Sequence, residues 1–217
     1  MDLTPLISDF YKIILFVVLI ALLIGLFKSP WGKGYFGEVM VRLLSKLMLN
    51  KDTYRAFHDL TLPTPDGSTQ MDHVYVSPYG IFVVETKNME GWIFGDERQS
   101  QWTQKIYKNS FKFQNPLRQN FKHVKTLESA LQVPADTIHS IVTFVGDSSF
   151  KTPMPPNVTY GAGFISYIKT FKEKMFTEDQ VKDLVARIES GLLAPGYSTR
   201  REHIQNLKER LNPDEQI

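Results

Sequence analysis

Asp72, Glu85 and Lys87 are the residues whose types and spacing point to chemistry. Glu85 and Lys87 lie two apart at the end of the run Ile81–Lys87, where Phe82, Val83 and Val84 mark a strand. Residues two apart on a strand leave the same face, so two charges project from an element that otherwise reads as buried. A second strand, Thr69–Ser77, precedes it across Pro78, Tyr79 and Gly80. If Pro78 and Tyr79 form a two-residue turn, Ser77 faces Gly80 and Asp72 stands directly opposite Glu85. A bulge at Gly80 would make that relation diagonal. Carboxylates paired across strands have Cβ atoms about 5 Å apart and repel unless something compensates. A divalent cation does so: Mg²⁺ takes hard oxygen ligands, often one or two carboxylates with retained waters. Lys87 would then stand beside the nucleophile or a scissile phosphate, orienting the one or offsetting charge on the other. The same trio also fits a salt-bridged cluster at a sheet edge that performs no reaction.

The elements that must position these residues follow from periodicity. Over Tyr35–Leu49 apolar Phe36, Val39, Met40, Leu43, Leu44 and Leu47 recur at helical spacing, which predicts an amphipathic helix. Tyr54–Leu62 reads as a strand closed by the turn residues from Pro63 to Ser68, then come the two strands above and a short one over Gly91–Gly95. After an irregular stretch, Asn115-Pro116 opens a helix to about Gln132. Ile138–Val145 is a buried strand, Asp147–Asn157 with its three prolines a loop, and Val158–Ile165 a further strand. Thr177-x-x-Gln180 caps a helix to about Ser190, and Thr199–Leu211 reads as a terminal helix of mixed charge. The order is that of an α/β fold with helices covering a mixed sheet.

Composition narrows the rest. A net charge of +2 argues against a polybasic coat, so any electrostatic site is local. Without cysteine there is no disulfide, thiolate zinc site, iron–sulfur ligation or cysteine nucleophile. Ile13–Phe27 lacks polar side chains, and Phe10 and Tyr11 extend the run across Lys12 to eighteen residues, about 27 Å as a helix. We expect one N-terminal transmembrane helix, its main rival being a cleaved signal peptide, although no small-residue cleavage pattern follows. Asp2 and Asp9 precede the run, while Lys28, Lys33, Arg42 and Lys46 follow it. That asymmetry predicts a single-pass protein of the cytoplasmic membrane with its body facing the cytoplasm. Trp31, Tyr35 and Phe36 fit an interfacial aromatic belt, and Phe36 fits equally as the first core residue of the next helix.

Between Arg98 and Leu127 there are seven basic residues and no acid, Arg98, Lys105, Lys108, Lys112, Arg118, Lys122 and Lys125, interleaved with Trp102, Tyr107, Phe111, Phe113 and Phe121. This composition suits a surface that tracks phosphates and stacks bases, and equally a cationic face against an anionic membrane. Gln119 and His123 share a different flank of the same helix from Arg118, Lys122 and Lys125, so one group alone is expected to line a site. Two patterns fail their context. Gly32-Lys33-Gly34-Tyr35-Phe36-Gly37 fits a dinucleotide fingerprint but follows no strand, and the five histidines show no metal-ligand spacing.

Taken in order, Gly37-Glu38, Thr69-Gln70-Met71-Asp72-His73, Tyr79 to Asn88, Gly91-Trp92-Ile93-Phe94-Gly95, Trp102, and Asn115-Pro116 with Gln119 resemble the nuclease-related domain, a family placed in the PD-(D/E)xK nuclease superfamily. The likeness runs from Gly34 to Leu131. It implies a restriction-endonuclease-like αβββαβ core, Glu38, Asp72 and Glu85 as ligands of Mg²⁺ or Mn²⁺, and Lys87 as the catalytic lysine beside Glu85 and Asp72. Met71 departs from the superfamily's proline but leaves the acid in place. Gln119 and His123 resemble a Gln-x-x-x-Tyr element of some related nucleases, with histidine for tyrosine. The expected organisation is an anchor over 1–31, a nuclease-like domain over 32–190 and a helical tail over 191–217. The expected function is metal-dependent hydrolysis of phosphodiester bonds, in DNA rather than RNA, with Gln119, Arg118, Lys122, Lys125, Lys105, Lys108 and Trp102 meeting the nucleic acid. The alternative is a membrane-tethered module that binds nucleic acid or a partner without turnover.

Overall fold

The computed structural model describes residues 12–21, 25, 29–64 and 67–191. Helix α1 (Pro30–Met48) opens where Ser29 accepts a hydrogen bond from the Gly32 amide, with Pro30 in the first turn. This Ser-Pro start sets the helix five residues earlier than periodicity suggests. Three antiparallel strands follow, β1 (Arg55–Thr64), β2 (Gly67–Ser77) and β3 (Gly80–Asn88). β3 continues into β4 (Gly91–Phe94), and the stretch expected to be irregular forms a hairpin, β5 (Gln101–Ile106) and β6 (Asn109–Gln114). Helix α2 (Pro116–Leu131) leads through a 3-10 turn to β7 (Ile138–Val145). The expected loop 147–157 contains a short strand, β8 (Ser148–Phe150). The expected strand Val158–Ile165 is divided into β9 (Val158–Tyr160) and helix α3 (Gly163–Ile168), because Gly161, at φ 48°, turns the chain. Helix α4 (Glu178–Gly191) begins at the expected capping box, in which Thr177 and Gln180 exchange side-chain to backbone hydrogen bonds.

One sheet has the order β1-β2-β3-β7-β9 and is mixed, since β3, β7 and β9 run parallel. A smaller sheet, β6-β5-β4-β8, packs Ile93 and Trp102 on Val142, Phe144 and Val158 of the large one. On one face of the large sheet Leu60, Leu62, Val74, Val76, Ile81 and Val83 meet Val124, Leu127 and Leu131 of α2 and Leu184 and Ile188 of α4. On the other, Tyr75, Phe82, Val84 and Ile141 meet Val41 of α1 and Phe164, Ile165 and Ile168 of α3.

The face that α1 buries differs from the expected one. Gly37, Val41 and Ser45 lie against the sheet, whereas Phe36, Val39, Leu43 and Leu47 are exposed, Leu47 by 72%. Close crossing is the reason: a Cβ on Gly37 would stand 2.8 Å from Cβ of Asn88, so small residues, not the largest apolar ones, take the near side. Phe36 is therefore no core residue. The fingerprint-like glycines lie inside α1, and among the described residues no strand precedes them.

Among the described residues no helix is long and apolar enough to cross a membrane. The helical stretch over 12–21 spans about 15 Å, half of a hydrocarbon core, so it does not make the expected crossing by itself. Residues 10, 11, 22–24, 26 and 27 of the expected span lie outside the described residues, as do the Trp31 side chain and the tail helix Thr199–Leu211.

Candidate active site

Ser77 pairs with Gly80 and His73 with Val84, so the two-residue turn and its register are as the sequence implies. The β2–β3 ladder then stops at that pair, while β3 stays joined to β7 as far as Asn88 and Val145. Beyond Val84, β3 leaves β2, and the Asp72 carboxylate accepts the Thr86 amide at 2.8 Å. Asp72 has a counterpart on β1. Asp59 and Asp72 are the positions skipped between the pairs His58–His73 and Leu60–Met71, and Asp59 has a left-handed φ of 54°. The apolar phase changes across this break: Phe57, Leu60 and Leu62 on β1, and Val74 and Met71 on β2, all reach the same core cluster. The break thus places Asp72 at a fork between strands.

Glu85 and Lys87 project together beneath α2, as strand parity requires. Glu85 is only 3% exposed, and the Lys87 ammonium donates to its Oε1 at 2.7 Å. The same ammonium donates to Oε1 of Gln119 at 3.0 Å. One helical turn on, His123 Nε2 stands 3.4 Å from Oε2 of Glu85, and Nδ1 of the same ring meets the Thr69 hydroxyl at 3.0 Å. Buried Oε2 and Nε2 have no well-formed hydrogen bond in this arrangement.

The start of α2 is fixed by Asn115, which is fully buried. Its side-chain oxygen accepts the Leu117 amide, and its amide donates to the carbonyls of Asp96, Glu97 and Gln99. Asn120, also fully buried, donates to the carbonyls of Val83 and Ile141, both at 2.9 Å, and so locks the helix over β3 and β7. With both anchors made, Gln119 and His123 can only point at Glu85 and Lys87.

The acids differ in electrostatic state. Burial and the Glu85 charge push the Asp72 carboxyl well up, Glu38 adds to this, and the Thr86 amide and Lys87 oppose it. Burial also pushes Glu85 up, but His123 and Lys87 together outweigh it and hold this carboxyl below its ordinary value. Glu38 is therefore within electrostatic reach of Asp72. On its own helix Glu38 pairs at 3.7 Å with Arg42, which binds Asp59 at 2.6 Å. Gln70 donates to the other oxygen of Asp59.

Asp72, whose ionisation Glu85 and Glu38 both oppose, and Glu85, with one buried carboxylate oxygen lacking a hydrogen bond, form a hard-oxygen set suited to a divalent cation. Among the described residues no three His, Asp or Glu side chains are gathered closely enough to cage such an ion. The fit is thus to a cation held by one or two carboxylates that keeps its own waters.

Of the residues expected from sequence, Lys87, Glu85 and Gln119 come together, with Asp72 and Glu38 beside them. His123 joins them on the flank of α2 that it shares with Gln119, and the spacing of four between the two was the signal in the sequence. Trp102 stands corrected as a nucleic-acid contact: it is 0% exposed, stacks on Phe144, and donates its indole N–H to the Asp96 carbonyl. A Cβ on Gly95 would lie 2.2 Å from its ring, so the two residues form one packing unit. Arg118 is exposed and bonds the Arg98 carbonyl, Lys122 is exposed, and Lys125 pairs with Glu128. Lys105 lies on β5 and Lys108 in the turn between β5 and β6, both on the smaller sheet's hairpin.

The sequence profile of the nuclease-related domain matches residues 33–145, just over half of the chain. An uncharacterised protein of Bacillus anthracis is 36% identical over 181 residues, covering 80% of this chain and 84% of that one. The matched segment holds α1, the fork at Asp72, the Glu85–Lys87 strand and the helix that brings Gln119 and His123 over it; the chain belongs to the nuclease-related domain family.

Proposed function

We propose that the protein is a metal-dependent nuclease that hydrolyses phosphodiester bonds, preferring DNA to RNA. The observation that carries this reading is the pair of buried Glu85 and half-buried Lys87, with Asp72 on one side and Gln119 on the other. Asp72 and Glu85 would hold Mg²⁺ or Mn²⁺, with Glu38 adding negative charge nearby. Such an ion, when bound, supplies Lewis-acid stabilisation of the charge that develops on the phosphate. Lys87 keeps a cation at that spot, and Gln119 and Glu85 fix its direction, so the ammonium is aimed before substrate arrives. His123 closes the other side of Glu85 and limits how far that carboxylate can turn. This is catalysis by positioning and charge neutralisation, which suits in-line displacement at phosphorus.

A membrane tether belongs to the same reading. Over 12–21 the apolar side chains are exposed, Leu15 by 70%, and a lipid phase would cover them. The body would face the cytoplasm, by the charge asymmetry of the flanks. One observation favours the second reading, a tethered binding module without turnover: among the described residues no three-ligand cage is preformed.

Labelled DNA and RNA, each single and double stranded, incubated with the full chain in Mg²⁺, Mn²⁺ or EDTA separate these readings. Cleavage of DNA that EDTA abolishes and Glu85→Ala removes is the expected result. Binding that ignores chelation, with no cleavage in any metal, would replace the nuclease by the module.

A further inference from the structure

The outer face of the small sheet has a composition that the site does not use. Its inner face is accounted for, since Ile93 and Trp102 are buried and Phe113 and Phe150 pack on the same cluster. Alternation therefore turns Trp92 and Phe94 of β4 outward. Register sets Lys105 and Ser149 on either side of Trp92, and Thr103 with Lys112 next to Phe94. Trp92 is 50% exposed, and Nζ of Lys151 stands over its ring, 4.9 Å from the centroid. None of the four strands contains an aspartate or a glutamate.

A solvated sheet face ordinarily carries polar residues, so a half-exposed tryptophan at its centre, ringed by lysines, needs a ligand with both a π-face and negative charge. Nucleic acid has both, but a duplex keeps its bases stacked inside and offers only phosphate and groove edges. A single strand presents each base to an aromatic ring and each phosphate to a lysine. We infer that the outer face of this sheet, centred on Trp92 with Lys105, Lys112 and Lys151, is a stacking platform for single-stranded nucleic acid. The inference rests on the nuclease reading of Glu85 and Lys87 and names the substrate class for that site. Trp92 lies five positions beyond Lys87, at most about 18 Å of extended chain, so a strand on the platform lies within a few nucleotides of Lys87.

The test measures binding without cleavage. Fluorescence anisotropy follows a labelled thymidine 12-mer and a duplex of equal length with the full chain in EDTA, at two salt concentrations. The 12-mer is expected to bind at least about tenfold tighter than the duplex, and Trp92→Ala to lose about tenfold for the 12-mer with little change for the duplex. Trp92→Phe, which keeps a π-face, is expected to recover most of the loss, which excludes misfolding as its cause. Replacing Lys105 and Lys112 by alanine is expected to flatten the salt dependence. Undiminished 12-mer binding by Trp92→Ala, or equal affinity for the duplex, would overturn the platform. So would loss by the same variant of binding to phosphatidylserine vesicles but not to the 12-mer, which would make this face a membrane contact. Cleavage is scored separately with Lys87→Ala, so a failed platform and a failed nuclease give different results.

Discussion

The Lys87 ammonium donates to the Gln119 amide oxygen at 3.0 Å, joining residues 32 apart in the chain. That bond links the charged end of the strand to the helix that covers it, beside the Asn120 bond to the Val83 carbonyl and the His123 contact with Glu85. If it aims Lys87, Gln119→Ala is expected to lower kcat by about 10- to 100-fold with little change in the thermal midpoint. Unchanged turnover would leave the bond a packing detail.

His123 occupies the other side of Glu85. In the folded protein its contact and the Lys87 charge hold the Glu85 carboxyl down against burial. His123→Ala removes part of that support, so the carboxyl rises and the acid limb of the pH–rate profile is expected to move to higher pH. A stability cost of about 1–3 kcal/mol should accompany it, because the Thr69 hydroxyl and Glu85 Oε2 lose a neighbour. An acid limb that stays in place would contradict this role.

Asp72 is expected to oppose folding when ionised. Its carboxyl is held above the ordinary value, so the folded state binds more protons than the unfolded chain, and stability falls as pH rises from about 4 through the folded pKa. Asp72→Asn removes the charge and can still accept the Thr86 amide. At neutral pH without metal the variant is expected to melt about 2–4 °C higher than wild type and to be inactive. Added Mg²⁺ should raise the wild-type midpoint and leave that of Asp72→Asn nearly unchanged. A variant that melts lower, or equal stabilisation of both by Mg²⁺, would count against a cation at this acid.

His58 and His73 act with the opposite sign. Their Nδ1 atoms are 2.8 Å apart; burial and then Arg42 push His58 down to about 4 against the pull of Asp59, and burial, His58 and Arg42 put His73 well below its ordinary value. The unfolded chain takes up these protons near pH 6.5, so this part of the stability is complete above that pH and is lost as pH falls from about 6.5 through about 4. Urea midpoints of wild type and His58→Gln, compared from pH 8 to pH 4, should therefore converge toward acid. Parallel curves would show that the pair does not titrate with folding.

Much of this was legible in the sequence because it is local. Parity put Glu85 and Lys87 on one face, a two-residue turn fixed the register that brings Asp72 to them, and Asn115-Pro116 announced the helix. What escaped depends on the distance between elements. Nothing in the spacing of Phe36, Val39, Leu43 and Leu47 reveals that α1 crosses the sheet too closely for them to face it; only the fit of Gly37 against Asn88 does. Trp102 read as a stacking platform because alternation gives two faces without saying which is covered, and β7 and β9 cover that one. The β5–β6 hairpin was hidden by strands rich in Gln, Lys and Asn, whose polarity reflects a solvated face and not a loop. The contact of His123 with Glu85 was not legible, because spacing sets His123 on the flank of Gln119 but carries no sign of what stands beneath that flank.

The central claim is that Lys87 and its acids cut phosphodiester bonds. The most direct test is single-turnover cleavage of a labelled single-stranded DNA by the full chain with Mg²⁺ or Mn²⁺, set beside Lys87→Ala, both proteins having equal thermal midpoints. The account predicts cleavage by the wild type, abolished by EDTA and reduced at least about a thousandfold in the variant. Equal cleavage by the two proteins, or cleavage that persists in EDTA, would contradict it.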